Sequence, residues 1–254
     1  MKKNVLLLVT ACVSSIGLVQ AKDFKLTEDM QFVGSVINDA PQWQWRVNTG
    51  KKGRMATWDA PVKDGIKKSG EVVFTYTDQN SQGSIPFVQG LMSSPVAKGG
   101  ANLTPIVTIT NARGKPLVLN GNGEPQEFEV DAVGKLSNGS TTQGVVSLSV
   151  ESAKAVIYKL GDNWISESYQ GASAAEALHF LRDKSTQFYS NSKSGRVIRQ
   201  NSHNDVFSVL RGERLPQAHS ILASFNSRLS NVSTHWQVVP HTWSASINVQ
   251  IKIQ

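Results

Sequence analysis

The stretch ASINVQIKIQ, residues 245–254, closes the printed chain and decides how its fold is interpreted. Apolar side chains occupy alternate positions, namely Ile247, Val249, Ile251 and Ile253, and Gln254 follows them. A period of two residues predicts a strand with one face buried and the other exposed. Because no later segment of this sequence could pair with the strand as a hairpin, we expect one of its edges to be open to another chain.

The first residues predict a secretory signal peptide. Lys2 and Lys3 precede an apolar stretch over residues 5–19, and Val19–Ala21 has the small-residue pattern of a cleavage site. We expect residues 1–21 to be removed, which lowers the formal net charge from +7 to +5 because both lysines leave. The alternative is lipidation of Cys12, the only cysteine of the chain. Cleavage after residue 21 leaves an exported protein without disulfides, and its dispersed charge favours a solvated surface over a nucleic-acid site.

Most of the remaining chain predicts β-strands. Segments rich in β-branched and aromatic residues alternate with turns that contain glycine, asparagine and proline. The predicted strands are Glu71–Thr77, Ile106–Thr110, Leu117–Leu119, Gln126–Val130 and Val145–Val150. Their spacing favours an all-β sandwich.

One segment departs from the β pattern. Ser173–Lys184 predicts an α-helix, with one apolar face formed by Ala174, Ala177, Leu178 and Leu181. Ser173 is the expected N-cap, and Glu176 follows at the spacing of a capping box. We therefore expect residues 160–215 to be a helix-containing insertion that lies outside the main sheets.

Residues 22–37 contain a second alternating row. Its members are Phe24, Leu26, Met30, Phe32, Gly34 and Val36, and Glu28 is the single charged break. One hypothesis is an extension that adds as a strand to the open edge of a neighbouring copy, a head-to-tail contact that propagates. The other is an ordinary first strand that pairs inside its own domain. Gly34 predicts a close approach of other atoms, because glycine inside a strand usually marks one.

Two segments resemble the FaeG-type subunits of fimbriae that are assembled by the chaperone–usher pathway. FVGSVINDAPQWQWRVNTG, residues 32–50, resembles the start of these subunits, and TWSASINVQ, residues 242–250, resembles their closing strand. The matching residues are Gly34, Ser35, Trp43, Trp45, Arg46, Val47, Gly50, Trp243, Ser244, Ala245, Ile247, Asn248 and Val249. The resemblance covers both ends of the exported chain and is diffuse between them.

The resemblance implies an incomplete immunoglobulin-like sandwich over residues 38–254, which residues 22–37 of another copy complete by donor-strand complementation. It implies a periplasmic chaperone, an outer-membrane usher and neighbouring subunits as partners, with export through the periplasm to a fimbria on the cell surface. The edge that pairs with the chaperone or the neighbour would contain Ile247, Val249, Ile251, Ile253 and Gln254. The non-aromatic tail and Glu28 depart from the family pattern, and they indicate a minor subunit of the FaeH or FaeI type.

The predicted function is therefore a structural subunit that contributes to cell adhesion. The alternative is an adhesin that binds a host glycan through the insertion at residues 160–215. An enzyme is disfavoured, because the sequence has no His-Glu-x-x-His pattern and no Gly-x-Ser-x-Gly elbow. We expect no catalytic residue, metal or cofactor, and we expect His203–Asp205 to be a solvated loop. Trp43 and Trp45 share one strand face, which favours packing over sugar stacking.

Overall fold

The computed structural model describes residues 33–35, 43–48, 58–76, 84–111, 113–189, 197–201 and 204–254. Within these residues the fold is built mainly of antiparallel strands. The strands are β1 (Val33–Ser35), β2 (Trp43–Val47), β3 (Ile66–Lys68), β4 (Glu71–Thr75), β5 (Ser84–Met92), β6 (Pro105–Thr110), β7 (Pro116–Val118), β8 (Asn122–Lys135), β9 (Thr141–Leu160), β10 (Asn163–Ser168), β11 (Val197–Asn201), β12 (His219–Trp236), β13 (Thr242–Ala245) and β14 (Asn248–Ile253). The helices are α1 (Ala172–Tyr189) and α2 (Phe207–Leu210).

The large sheet is organised around two long antiparallel strands, β9 and β12. They pair from Gly144 opposite Trp236 to Lys159 opposite His219. Because both strands are long, each pairs with two shorter strands in succession along its other edge, β9 with β8 and β10, and β12 with β4 and β5. The strand order is β1-β2-β5-β12-β9-β10-β11, and β3 and β13 attach through β4 and β8.

A small sheet packs against the large one. It has the strand order β14-β6-β7, and both of its pairings are antiparallel. Val107, Ile109 and Val249 from the small sheet belong to the same buried cluster as Phe128 and Val150 from the large sheet. The two sheets therefore share one hydrophobic core. The all-β class predicted from the sequence is confirmed, and each of the five predicted strands overlaps a strand of the structure.

The insertion is only partly as predicted. The helix is confirmed, because α1 contains the whole of Ser173–Lys184. The expectation that residues 160–215 lie outside the main sheets is wrong, because β10 pairs with β9 and β11 pairs in parallel with β10. Every residue from Trp164 to Ser168 is buried. A strand buried on both faces has no alternation of apolar and polar side chains, so the sequence gives no period-two signal there.

The predicted capping box is also wrong. The helix begins at Ala172, and the Ser173 N–H donates to Glu151 Oε1 at 2.8 Å while the Ser173 hydroxyl donates to the Glu151 carbonyl at 3.2 Å. Glu176 instead contacts Arg228 and accepts a hydrogen bond from Asn226. A carboxylate on β9 therefore satisfies an N–H group in the first turn of α1, a tertiary contact that short-range spacing could not reveal.

The single strand predicted for residues 245–254 is two strands. β13 pairs with β8, so Ala245 is the last residue of the large sheet. β14 pairs with β6, so Asn248 begins the last strand of the small sheet. The chain therefore crosses from one layer to the other between these two residues.

The tryptophan pair near the start of the described chain belongs to the core. Trp43 is buried, and its Nε1–H donates to the Leu103 carbonyl at 2.8 Å. Trp45 stacks on Trp43 with a ring-centroid distance of 5.2 Å. This is the packing arrangement that the sequence favours, and the buried ring of Trp43 leaves no face for a sugar.

Candidate assembly site

The final strand, β14, uses only one of its edges in the described part of the chain. Gln254 and Thr104 exchange two backbone hydrogen bonds of 2.8 Å. In an antiparallel ladder such pairs recur at every second residue, so Gln250 and Lys252 also direct their backbone groups towards β6. Val249 and the other odd-numbered residues of β14 then direct N–H and C=O groups away from β6. Among the described residues, no strand pairs with this second edge.

We call the outward backbone groups of Val249, Ile251 and Ile253 the open edge. The side chains of this apolar row are covered to different degrees. Val249 is 4% exposed, Ile247 and Ile251 are half-buried, and Ile253 is 36% exposed. The apolar cover therefore decreases towards the end of the strand. An unpaired edge beside a partly uncovered apolar row is the arrangement that accepts an added strand.

The predicted donor segment lies largely outside the described residues. Phe24, Leu26, Met30, Phe32 and Val36 are all outside them. Gly34 is described, and it lies on β1 opposite Trp45 of β2 in the same chain. Three residues of the predicted extension thus pair within their own chain, and the donor role of the row remains a prediction.

A cavity of about 630 Å³ lies next to Gln254, the residue that follows β14. It is formed by residues of the small sheet, of β9 and of the insertion. The residues that matter for its chemistry are Thr104, Ile106, Val118, Lys154, Arg211 and Gln254. The Thr104 hydroxyl is buried and has no hydrogen-bond partner among the described residues. The cavity therefore combines an apolar wall with a few polar groups.

The charged groups beside this cavity pair with one another. Asp205 lies 3.7 Å from Lys154 Nζ and 3.0 Å from Arg211 Nη1, and Arg211 also bonds Glu213 at 2.8 Å. Burial lowers the pKa of Lys154, even though Asp205 opposes this shift. Burial disfavours the charged form of Asp205, but Lys154 and Arg211 outweigh it and hold the pKa of Asp205 below its usual range. Asp205 therefore lies in a loop, as expected, but it is half-buried and ion-paired instead of fully solvated. Asn204 is exposed, and His203 lies outside the described residues.

A second ion pair lies within the insertion and contacts β9 through Tyr158. Glu167 is 3% exposed, and both of its carboxylate oxygens accept hydrogen bonds from Arg214 Nη2 at 2.8 Å. The Tyr158 hydroxyl donates to Glu167 at 3.2 Å. Burial, together with the negative charge of Glu167, raises the pKa of Tyr158 to about 12. A phenol with this pKa stays protonated at neutral pH, so the group serves as a fixed donor in a structural contact.

No cluster of three or more histidine, cysteine, aspartate or glutamate residues suited to a metal ion occurs in the described ranges. No helix in the described part of the chain is both long and apolar enough to cross a membrane.

No protein-family model matches this chain, and no curated protein matches it. Membership of the FaeG-type family therefore remains a prediction that rests on the two resembling segments.

Proposed function

We propose that this chain is a minor structural subunit of a bacterial surface fimbria, polymerised by donor-strand exchange and contributing to cell adhesion. In this proposal its two sheets form an incomplete immunoglobulin-like sandwich. The observation that carries the proposal is the open edge, where Val249 and Ile251 direct backbone groups away from β6 beside a partly uncovered apolar row. An added strand would supply main-chain hydrogen bonds and would cover that row.

The proposed assembly has two stages. A periplasmic chaperone first covers the open edge, and the N-terminal segment of a neighbouring subunit replaces it at the usher. Exposed apolar strands with unpaired backbone groups aggregate readily, so a subunit of this kind needs cover before it meets its neighbour. The proposal thus accounts for the predicted signal peptide and for the apolar row at residues 22–37 together.

A graft tests this function. A second copy of residues 24–36, joined after Gln254 by a flexible linker, would place the strand at a high effective concentration next to the open edge. We expect a monomer with a higher melting temperature than the parent chain, measured by calorimetry and by light scattering. The control is the same graft with Phe24→Asp and Leu26→Asp in the grafted copy, which should behave like the parent. Equal melting temperatures for the graft and its control would refute the proposal.

A second candidate function is an adhesin that binds a host glycan through the insertion. The observation that favours it is the cavity, because Arg211 and Glu213 of the insertion form part of its wall. The apolar side chains of Ile106 and Val118 offer a surface for the C–H face of a sugar. Binding of the grafted monomer to a glycan array, lost in Thr104→Val and Arg211→Met variants, would support this candidate. If no glycan on the array binds, the adhesin function is refuted, and the proposed structural role is unaffected.

A further inference from the structure

Asparagine followed by glycine occurs three times in the sequence, at residues 120–121, 122–123 and 138–139. This dipeptide is chemically labile, because glycine has no side chain to hinder attack by its own amide nitrogen on the asparagine side chain. The attack forms a cyclic imide and releases ammonia, and water then opens the imide to aspartate or isoaspartate. The sequence therefore contains three comparable sites of deamidation, and the structure gives each of them a different environment.

The third of these dipeptides lies in the turn that joins β8 to β9. The Leu136 N–H donates to the Ser140 carbonyl at 2.8 Å, and the Gly139 N–H donates to the Leu136 carbonyl at 3.0 Å. Gly139 has a φ of +83°, a left-handed conformation that favours glycine. A left-handed glycine at the end of a three-residue hairpin loop is a common arrangement. The turn therefore requires glycine directly after Asn138, and it leaves Asn138 exposed to water.

Two donors of Ser140 converge on the side-chain oxygen of Asn138. The Ser140 N–H donates to Asn138 Oδ1 at 3.0 Å, and the Ser140 hydroxyl donates to the same oxygen at 2.7 Å. This oxygen takes up the negative charge when the Gly139 nitrogen attacks Asn138 Cγ. Donors aimed at an oxygen where charge develops lower the barrier of the reaction, as they do in an oxyanion hole. The turn therefore stabilises the transition state for attack on Asn138.

The fold protects Asn120 through the glycine that follows it. Gly121 is buried, and its N–H donates to Ser152 Oγ at 3.0 Å. The Gly121 carbonyl accepts a hydrogen bond from the Lys154 N–H at 3.0 Å. Loss of the amide proton would leave a negative charge in a buried position, which costs much more than it does in water. The nitrogen of Gly121 is therefore a poor nucleophile.

Asn122 is restrained on β8, where it pairs with Ala153 of β9. Its Oδ1 accepts one hydrogen bond, from the Glu124 N–H at 3.1 Å, and its Nδ2 donates to the Glu124 carboxylate at 2.9 Å. A carboxylate beside the attacked group opposes the negative charge that develops there. The following backbone is also tightly packed, because a Cβ atom added at Gly123 would lie 2.4 Å from the Gln170 carbonyl oxygen. Both the charge and the packing disfavour the imide at Asn122.

We propose that Asn138 is a site of spontaneous deamidation, in which the Gly139 nitrogen attacks Asn138 Cγ while both donors of Ser140 hold the developing oxyanion. The bond from Gly139 to the Leu136 carbonyl opens first, as hydrogen bonds in exposed turns do readily. The Gly139 N–H then gives its proton to hydroxide, the N–Cγ bond forms, and the Cγ–Nδ2 bond breaks to release ammonia with a proton from water. Water adds to either imide carbonyl, which gives aspartate and isoaspartate.

The modification changes both the charge and the geometry of the turn. Each event replaces a neutral amide with a carboxylate beside the end of the β8–β9 pairing, where Lys135 lies opposite Thr141. Isoaspartate also adds a backbone carbon between residues 138 and 139. The Gly139 and Leu136 N–H groups then cannot close the same turn. We therefore expect this end of the hairpin to open in the modified protein.

Incubation of the full-length chain in water labelled with heavy oxygen, at mildly alkaline pH, tests the proposal. Peptide mapping by mass spectrometry reports the labelled aspartate and isoaspartate at each of the three asparagines. Labelled product at Asn138 should form at least about tenfold faster than at Asn120 or Asn122, which corresponds to a barrier difference of about 1.4 kcal/mol. In guanidinium chloride the three rates should converge, because unfolding removes the protection of Asn120 and Asn122.

Replacing Ser140 tests the assigned donors. Ser140→Ala removes the hydroxyl and keeps the N–H, so it should slow deamidation of Asn138 by about threefold to tenfold. Ser137→Ala is the matched control, because Ser137 is an exposed serine in the same turn and both contacts to Asn138 Oδ1 come from Ser140. It should deamidate at the rate of the parent chain.

The outcomes separate the parts of the proposal. Equal rates at the three asparagines of the native chain would overturn the selection of Asn138, and this comparison needs no variant. Aspartate without isoaspartate would overturn the imide route, because direct hydrolysis of the amide yields aspartate alone. Equal rates in Ser140→Ala and Ser137→Ala would overturn the role of the hydroxyl. Labelled isoaspartate that forms first at Asn138, and more slowly in Ser140→Ala, is the result that the proposal predicts.

Discussion

At the scale of single residues, two tryptophans fill space that glycines leave open. A Cβ atom added at Gly144 would lie 2.3 Å from the Trp236 ring, and one added at Gly90 would lie 2.3 Å from the Trp45 ring. Each glycine lies directly opposite its tryptophan in the neighbouring strand. The rings therefore lie close to bare backbone, and any side chain at these glycines would displace them.

Gly144→Ala should destabilise the protein. The new methyl group collides with the buried Trp236 ring, and overpacking of this kind costs roughly 1–3 kcal/mol. Gly100→Ala is the matched control, because nothing lies within 4 Å of a Cβ atom at that position. Urea unfolding at neutral pH measures the stability of both variants. If Gly144→Ala unfolds at the same urea concentration as Gly100→Ala, the close approach of Trp236 does not constrain the fold.

Asp205 should make stability depend on pH in the acidic range. Its native pKa is held below the usual aspartate value by Lys154 and Arg211, against the effect of burial. A lowered native pKa contributes stability that is complete above the unfolded pKa and is lost as the pH falls through the native value. The free energy of unfolding should therefore decrease below about pH 4 more steeply in the parent than in Asp205→Asn.

Urea unfolding at several pH values between 7 and 3 provides this measurement. Asp162→Asn is the control, because Asp162 is exposed and forms no salt bridge among the described residues. It should keep the pH dependence of the parent. A parallel decrease for the parent and for Asp205→Asn would show that the ion cluster contributes nothing to stability.

At the scale of elements, α1 is attached to the large sheet by a row of polar contacts. The Ser224 hydroxyl donates to the Ala177 carbonyl at 2.7 Å, and Asn226 Nδ2 donates to Glu176 at 2.6 Å. Arg228 forms a salt bridge with the same Glu176. These three residues alternate along β12, so one face of that strand presents polar groups to the helix. The helix is therefore positioned by hydrogen bonds as well as by its buried apolar face.

Removing only one residue of the Arg228–Glu176 pair should lower the free energy of unfolding more than removing both. Arg228→Met leaves the Glu176 carboxylate without its cation, and an unsatisfied partly buried group costs about 1–3 kcal/mol. The double variant Arg228→Met with Glu176→Met should recover part of that loss. A double-mutant cycle by urea unfolding gives the coupling energy. The pair Arg113 with Asp131, in which the arginine side chain is 75% exposed, is the control, with an expected coupling of about 0–1 kcal/mol. Equal coupling in both pairs would contradict the proposed attachment.

The sequence predicts the strands that have the core on one face and solvent on the other. β6, β8 and the end of the chain alternate in the sequence, because one face is in the core and the other is exposed. β12 was not predicted, since α1 covers its polar face and its serines, Asn226 and Arg228 resemble a loop. β10 was missed because it is buried on both faces. An alternation test that treats Ser224, Asn226 and Arg228 as one polar row would have found β12.

At the scale of the whole molecule, the candidate site has a local part and a non-local part. The open edge depends on one strand, so the period of its side chains predicts it from the sequence alone. The cavity and its ion cluster join Lys154 on β9 to Asp205 and Arg211 in the insertion. Lys154 is far in the sequence from Asp205 and Arg211, and the three residues have no diagnostic spacing. Only the docking of the insertion onto β9 brings them together.

Residue-resolved amide hydrogen exchange along β14 tests the central claim most directly. The Gln250 and Lys252 N–H groups face β6, and they should exchange slowly in a chain that lacks residues 22–32 and in the grafted chain alike. The Val249 and Ile251 N–H groups face the open edge, so they should exchange quickly in the truncated chain. The graft should protect them by at least about tenfold, because it gives them hydrogen-bond acceptors. Val249 and Ile251 amides that are slow without the graft, or fast with it, would contradict strand addition at this edge.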